Sequence, residues 1–354
     1  MTTHVRRDTA ISPIVRVLVV DDSAYVRKMV TQMLSRSPFI EVVATARDGK
    51  EALELAEQHK PDVITWDLNM PEMDGVRFVQ EQMARRAVPI LIMSIANRAG
   101  EQVLAALDAG AIDFIQKPTA LASDRLLDVA DDLLAKVKAA AGAPLRQVTT
   151  EPTPAAALRA PSSSGLQADV VVIAISTGGP QGLKVVIPAF PADTPVPMAI
   201  VLHMPVGYTE LYARKLDELS AMHVKEASEG DEMQPGRILL APAGRHLSFR
   251  RVGASVVAHL DVRPLDTQHR PSADVLFQSA AEVYGARTLG VVMTGMGADG
   301  REGAAWIKAR GGRILTEAEE SCVVYGMPRS VVEAGLSDGS IILDNMARAI
   351  LERL

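Results

Sequence analysis

In the second half of this 354-residue chain, a serine, a histidine and an aspartate each follow a run of apolar residues. Val170-Val171-Val172-Ile173-Ala174-Ile175 ends at Ser176, and Thr177-Gly178-Gly179-Pro180 follows. Met198-Ala199-Ile200-Val201-Leu202 ends at His203. Leu289-Gly290-Val291-Val292-Met293-Thr294 leads into Gly295-Met296-Gly297-Ala298-Asp299-Gly300. If these runs are neighbouring parallel strands, a hydroxyl, an imidazole and a carboxylate meet on one sheet edge. Those are the parts of a nucleophile, its base and the group that orients the base. Each part also has a plainer reading. A serine after a strand is usually a helix cap, and glycines around an aspartate are ordinary turn residues. No Gly-x-Ser-x-Gly elbow surrounds Ser176, and no Gly-Lys-Ser/Thr phosphate loop is present. Five histidines lie beyond residue 168. His203 alone closes a fully apolar run; His269 ranks second as a base, and its neighbour Ser272 reads as the N-cap of a helix through Val275-Leu276-Phe277.

A different set of reactive residues occupies the first half. Val15-Arg16-Val17-Leu18-Val19-Val20 ends in Asp21-Asp22, Val63-Ile64-Thr65-Trp66 in Asp67, and Ile90-Leu91-Ile92-Met93 in Ser94; Ala111 to Ile115 is followed closely by Lys117-Pro118. Converging carboxylates repel unless a hard cation sits among them, and an all-oxygen set suits Mg²⁺. A hydroxyl and a lysine beside that ion would bind phosphoryl oxygens. The pattern reads as an aspartate that accepts phosphate. Acids at strand ends can also merely cap helices, but acids, hydroxyl and lysine in order on four strands exceed what capping needs.

The elements that must hold these residues alternate strictly. Helices are expected over Ser23–Leu34, Lys50–His59, Val76–Arg85, Gly100–Asp108 and about Ser123–Ala140, between strands at 15–20, 40–44, 63–66, 90–93 and 111–115. Such alternation implies an α/β fold, with a parallel sheet covered by helices on both faces. Trp66 precedes Asp67 and should point to the opposite sheet face, into packing. Three segments follow: an α/β unit over 14–141, a Pro/Ser/Ala-rich flexible linker over 142–167, and a second α/β unit over 168–354.

Composition excludes several classes. The net charge is −6, and residues 168 onward carry 18 Lys+Arg against 22 Asp+Glu. A basic recognition helix is absent, so nucleic acid is not an expected partner. No run of 18 apolar residues suggests membrane insertion, and the N-terminus lacks the apolar core of a signal peptide. Cys322 is the only cysteine, which rules out an internal disulfide and fits a reducing cytoplasm.

The first unit resembles the response-regulator receiver domain of two-component signalling, a flavodoxin-like (βα)5 fold. Val19-Val20-Asp21-Asp22-Ser23, Asp67-Leu68-Asn69-Met70-Pro71-Glu72-Met73-Asp74-Gly75 and Lys117-Pro118 carry that likeness. It implies that Asp67 is the phosphoacceptor. Asp21 or Asp22, or both, would bind Mg²⁺ with Asp67 and the Asn69 backbone carbonyl. Ser94 and Lys117 would take the phosphoryl oxygens, and Phe114 would be the aromatic switch residue.

The second unit resembles the catalytic domain of the CheB family of chemotaxis methylesterases. Ser176-Thr177-Gly178-Gly179-Pro180, His203-Met204-Pro205, His269-Arg270-Pro271-Ser272, Thr294-Gly295-Met296-Gly297-Ala298-Asp299-Gly300 and Tyr325-Gly326-Met327-Pro328 carry it. The resemblance implies a doubly wound, mostly parallel domain with Ser176 as nucleophile, His203 as base and Asp299 as carboxylate, and Thr177 and Met296 at the site. It implies hydrolysis of glutamyl methyl esters on chemoreceptors and deamidation of receptor glutamines, with no cofactor for that chemistry. It implies phosphorylation by a CheA-type histidine kinase, a receptor methyltransferase as the opposing activity, and a receiver that inhibits until Asp67 is phosphorylated. Ala174-Ile175 and Leu202 depart from the Gly-Ala and Gln usual in the family; these departures bear on how substrate fits beside Ser176 rather than on the chemistry. A receiver-controlled adaptor without catalysis and a hydrolase of another acyl substrate are the alternative readings.

Overall fold

A computed structural model of the chain describes residues 14–68, 70, 75–94, 100–117, 123–143, 158 and 167–354. The first sheet is built from β1 (Val15–Val20), β2 (Ile40–Ala46), β3 (Val63–Asp67), β4 (Ile90–Ser94) and β5 (Asp113–Gln116). Between and after them run α1 (Ala24–Leu34), α2 (Gly49–His59), α3 (Gly75–Arg85), α4 (Gly100–Asp108) and α5 (Ser123–Ala141). All strand pairs are parallel, in the order β2-β1-β3-β4-β5. β5 begins two residues later than its apolar run suggests, because Leu91 pairs with Asp113.

Alternation along each strand divides the core. Val17 and Val19 face α1 and α5, with Leu34, Leu133 and Val137. Leu18, Ile64 and Trp66 face the other way, with Phe78 and Leu107. Trp66 is fully buried and stacks on Phe78, ring centroids 3.7 Å apart and nearly coplanar at 7°. The packing role expected for it holds.

The second sheet is larger. Its strands are β6 (Val170–Ile175), β7 (Met198–Leu202), β8 (His223–Glu226), β9 (Arg237–Leu240), β12 (Thr288–Val292), β13 (Arg313–Glu317) and β14 (Ser340–Ile341). A separate antiparallel hairpin is made by β10 (His246–Val252) and β11 (Ser255–Asp261). The helices are α6 (Gly179–Val186), α7 (Thr209–Leu219), α8 (Ala273–Tyr284), α9 (Arg301–Ala309), α10 (Met327–Glu333) and α11 (Leu343–Leu351). The order is β14-β13-β12-β6-β7-β9-β8, with every pair parallel. β6 therefore lies between β12 and β7. Its continuous apolar run is needed because both faces are covered: Val171, Ile173 and Ile175 pack with Leu183 and Met346, and Val170, Val172 and Ala174 with Phe277 and Ile307.

The two sheets are joined through side chains as well as chain. Helix α4 packs on α6 and α7. The Gln181 amide donates to the Leu107 carbonyl, and Lys184 pairs with Asp108. Tyr208, fully buried, packs its ring on Phe114 with centroids 4.7 Å apart, and its hydroxyl lies 3.4 Å from Ser94 Oγ. Most of the expected linker lies outside the described residues. Among the described residues no helix is long and apolar enough to cross a membrane.

Candidate active site and phosphoacceptor site

Because β12, β6 and β7 are adjacent and parallel, their carboxyl ends share one edge. The Ser176 N–H donates to the Thr294 carbonyl at 2.9 Å, and the His203 N–H to the Ile175 carbonyl at 3.2 Å. These bonds extend the strand ladders just far enough to set Ser176 beside both partner strands. Beyond Ser176 the chain turns sharply. Gly178 has φ +79° and is the N-cap of α6, and a Cβ there would lie 2.5 Å from Val323. Only glycine meets both demands. Ser176 is thus not the cap of α6.

Asp299 and His203 are bonded directly, Nε2 to Oδ2 at 2.8 Å, with each side chain under a tenth exposed. His203 Nδ1 is buried without a hydrogen-bond partner among the described residues. The ring nitrogens are therefore used in the opposite sense to the serine-protease template, where Nδ1 faces the carboxylate. The nitrogen left over is Nδ1, on the strand end next to Ser176.

Asp299 accepts three further bonds: from the Ser272 hydroxyl at 2.8 Å, the Ala273 N–H at 2.7 Å and the Asp274 N–H at 3.1 Å. The last two are free amides of the first turn of α8, so an aspartate from another loop caps this helix. Ser272 occupies the N-cap position as expected, but its hydroxyl makes no bond to its own helix and turns to Asp299 instead. Burial pushes the Asp299 carboxyl up, but His203 and the α8 donors outweigh it and hold the group far below its ordinary value.

His269 is the second candidate base that the sequence offers. Its ring stacks on His203, with centroids 4.1 Å apart and planes 21° from parallel. Burial, and then the neighbouring His203, push His269 down to about 4, so it is neutral at pH 7. It packs against the candidate base and does not compete for that role.

The loop after β12 is pinned from a fourth strand. Fully buried Glu317, the last residue of β13, accepts from the Thr294 N–H at 2.9 Å and from the Ser321 hydroxyl at 3.0 Å. The Thr294 hydroxyl donates to the Thr177 carbonyl at 3.0 Å and accepts from the Val324 N–H at 3.0 Å. Thr177 is buried, and Met296 lies half-buried on the same loop. A Cβ on Gly295 would fall 2.4 Å from Met327 Sδ and 2.8 Å from Ser176 Cβ. Gly295→Ala should therefore destabilise the fold by about 1–3 kcal/mol, seen as a lowered midpoint in thermal unfolding; an unchanged midpoint would contradict this packing.

Ile175 and Leu202 pack against α6. Ile175 side-chain atoms lie 3.2–3.5 Å from where Cβ atoms on Gly179 and Gly182 would be, and Leu202 Cδ1 lies 2.6 Å from the Gly179 position. Both side chains fill the space under α6. The strand alternation explains this: Ile175 shares the face of Val171 and Ile173, away from α8.

At the edge of the first sheet, oxygens of Asp21, Asp22 and Asp67 all lie within 4.8 Å of one another. Buried Lys117 bridges Asp21 at 2.5 Å and Asp67 at 2.8 Å. Burial raises the Asp21 carboxyl above its ordinary value; Lys117 opposes this and Asp67 adds to it. A cluster of oxygen donors with one cation already bridging it is chemically suited to a second, hard cation. Ser94, buried at the end of β4, stands on the adjacent strand. Phe114 is buried on β5 against Tyr208. Asn69 lies outside the described residues.

Sequence reasoning passed over Glu317, Asp274 and Tyr208. Glu317 gave the same signal as Asp67, an acid closing an apolar strand. Asp274 and Tyr208 are polar residues near helix starts, and nothing local marks them.

Comparison with known proteins agrees with this architecture. The family model described as CheB methylesterase matches residues 171–350, and that of the response regulator receiver domain matches residues 17–130. A Myxococcus xanthus relative named protein-glutamate methylesterase/protein-glutamine glutaminase 5 is 48% identical over 98% of this chain and 99% of its own. A Bordetella bronchiseptica relative named protein-glutamate methylesterase/protein-glutamine glutaminase is 42% identical over 96% of this chain and 97% of its own. The crystal structure of the Thermotoga maritima CheB methylesterase catalytic domain aligns with a TM-score of 0.52 at 39% identity. It covers 53% of this chain and all of that one. With near full-length relatives and both domain families matched in order, the chain belongs to the CheB methylesterase family and carries a response-regulator receiver domain ahead of its catalytic domain.

Proposed function

We propose that the chain is a phosphorylation-controlled serine hydrolase. It hydrolyses glutamyl methyl esters on chemoreceptors and deamidates receptor glutamines, with Ser176, His203 and Asp299 as its triad. The observation that carries this reading is the His203–Asp299 bond at 2.8 Å, which leaves a buried Nδ1, without a partner among the described residues, beside the strand that ends in Ser176. Ser176 Oγ attacks the ester carbonyl while His203 Nδ1 takes its proton. Asp299 holds Nε2–H and stabilises the charge that develops on the ring. The protonated ring returns its proton to the leaving methoxide, so methanol departs and an acyl-enzyme remains. Water then attacks with the ring again as base, and glutamate and Ser176 are restored. From a glutamine the same steps release ammonia. Thr177 and Met296 line the approach.

Asp67 is the proposed phosphoacceptor. Asp21, Asp22 and Asp67, with the Asn69 carbonyl, are the residues that would hold Mg²⁺, which when bound neutralises charge on the incoming phosphoryl group. Ser94 and Lys117 would bind its oxygens. The domain boundaries follow: a receiver over 14–141, a linker over 142–167 and a catalytic domain over 168–354. Inhibition by the receiver is supported by the seating of α4 and β5 on α6 and on Tyr208, five residues beyond His203. Lys136 of α5 is close enough to His269 to contribute to lowering its ionisation. The proposed setting is the cytoplasm, with a CheA-type histidine kinase as phosphodonor, a receptor methyltransferase working in opposition, and neither nucleic acid nor membrane insertion involved.

Incubating the phosphorylated full chain with methylated receptor tests the substrate assignment. Methanol release is the expected result. Binding without methanol would indicate an adaptor, and turnover of other acyl esters alone a different hydrolase.

A further inference from the structure

Helices α8 and α9 exchange caps. Asp299, the residue before the N-cap of α9, accepts from the first amides of α8. In return Asp274, in the first turn of α8, accepts through Oδ1 from the Gly300 N–H at 2.9 Å and the Gly303 N–H at 2.7 Å. The helices meet closely there: a Cβ on Gly303 would lie 2.5 Å from Phe277 Cβ and 3.0 Å from Asp274 Cα. Gly300 directly follows Asp299 and sits at φ +95°, where glycine has wide freedom. The bond to Asp274 removes that freedom at the peptide that carries the candidate triad carboxylate.

We propose that Asp274 is a positioning residue for the reaction, which sets the Asp299 carboxylate on His203 through this reciprocal capping. The inference rests on the triad reading above. Two features support it. The Asp274 carboxyl also lies against that of Asp299. Burial, and Asp299 beside it, raise Asp274 to about 7, outweighing the two amide bonds. In its protonated form the Asp274 carboxyl can share that proton with Asp299 instead of repelling it. The Asp299 carboxylate is thereby held by α8, by Ser272 and by Asp274, with one lobe left for the imidazole.

The test uses the full chain with a small-molecule phosphodonor and methylated receptor. Asp274→Ala should lower kcat by about 30- to 100-fold with KM within about twofold, since what is lost is orientation and not substrate contact. Asp274→Asn keeps one oxygen for both amides and turns an N–H toward Asp299, so its kcat should lie within about threefold of wild type. The low-field proton resonance of the His203 imidazole N–H bonded to Asp299 should persist in Asp274→Asn and shift or vanish in Asp274→Ala. If Asp274→Ala fails to fold, Asp274→Glu keeps a carboxyl displaced by one methylene, and it should fold, lose kcat and shift the same resonance. Wild-type kcat with an unshifted resonance in Asp274→Ala or Asp274→Glu would overturn the proposal, as would an Asp274→Asn as impaired as the alanine variant. Ser176→Ala runs alongside: if it stays active, the triad reading has failed, whereas a dead Ser176→Ala beside a fully active Asp274→Ala rejects the positioning role alone.

Discussion

Ser176→Ala should reduce methanol release from methylated receptor by at least about 10³-fold, with thermal unfolding unchanged. The size follows from the mechanism. Without the hydroxyl no acyl-enzyme forms, and what remains is the weak acceleration that a bound ester receives from positioned water. Stability should hold because the Ser176 backbone, not its side chain, ties β6 to Thr294. His203→Ala should lose about as much activity, and the double variant little more, because nucleophile and base act as one unit. Asp299→Ala differs in kind. It removes the cap of α8 as well as the partner of His203, so it should also cost about 1–2 kcal/mol of stability. An active Ser176→Ala would remove the serine mechanism altogether.

Residues 168–354 alone should hydrolyse methylated receptor on the order of tenfold faster than the unphosphorylated full chain, within the usual range of coupling between two sites. The contacts that hold the receiver on the catalytic domain include an ion pair, a hydrogen bond from a side-chain amide and a packed aromatic pair, at α4, β5, α6 and Tyr208. A phosphoryl group on Asp67, the proposed acceptor, would sit at the strand end next to Ser94, whose hydroxyl faces Tyr208. A phosphoryl group that draws Ser94 toward itself weakens the contact with Tyr208 and shifts the population toward an open form. A phosphodonor should therefore raise the full chain toward the rate of the isolated domain, and Asp67→Asn should abolish that response. Equal rates for the isolated domain and the unphosphorylated chain would sink the inhibitory role.

The first sheet and the three central strands of the second, β12, β6 and β7, were legible because buried parallel strands must be continuous apolar runs, and the residue that ends each run is therefore conspicuous; the short strands β8, β9, β13 and β14 were not read from the sequence. Ser176, His203, Asp67 and Ser94 all stand out in that way. Asp299 was legible only through the glycines around it. What stayed hidden depends on approaches between distant segments. That Asp299 caps α8 while Ser272 abandons its own helix requires α8 and α9 to touch at Gly303, and no local pattern records that. The orientation of the His203 ring is likewise a tertiary result. Ile175 adjoins the candidate nucleophile in sequence, yet its side chain turns away from it. Strand alternation sends its side chain to the opposite face, and the rule that placed Trp66 correctly would have placed Ile175 too. The β10–β11 hairpin escaped notice because His246–Asp261 mixes charged and apolar residues on a half-buried ribbon.

Trp66 has one more use. It is one of two tryptophans in the chain; the other, Trp306, is 42% exposed on α9. The indole of Trp66 is sealed from water and stacked on Phe78, and it shares a peptide bond with the acid proposed to accept phosphate. Replacing Trp306 by phenylalanine would leave a single blue-shifted emitter at that position. Its fluorescence would then follow the charge state of Asp67 in real time, independently of any turnover at Ser176.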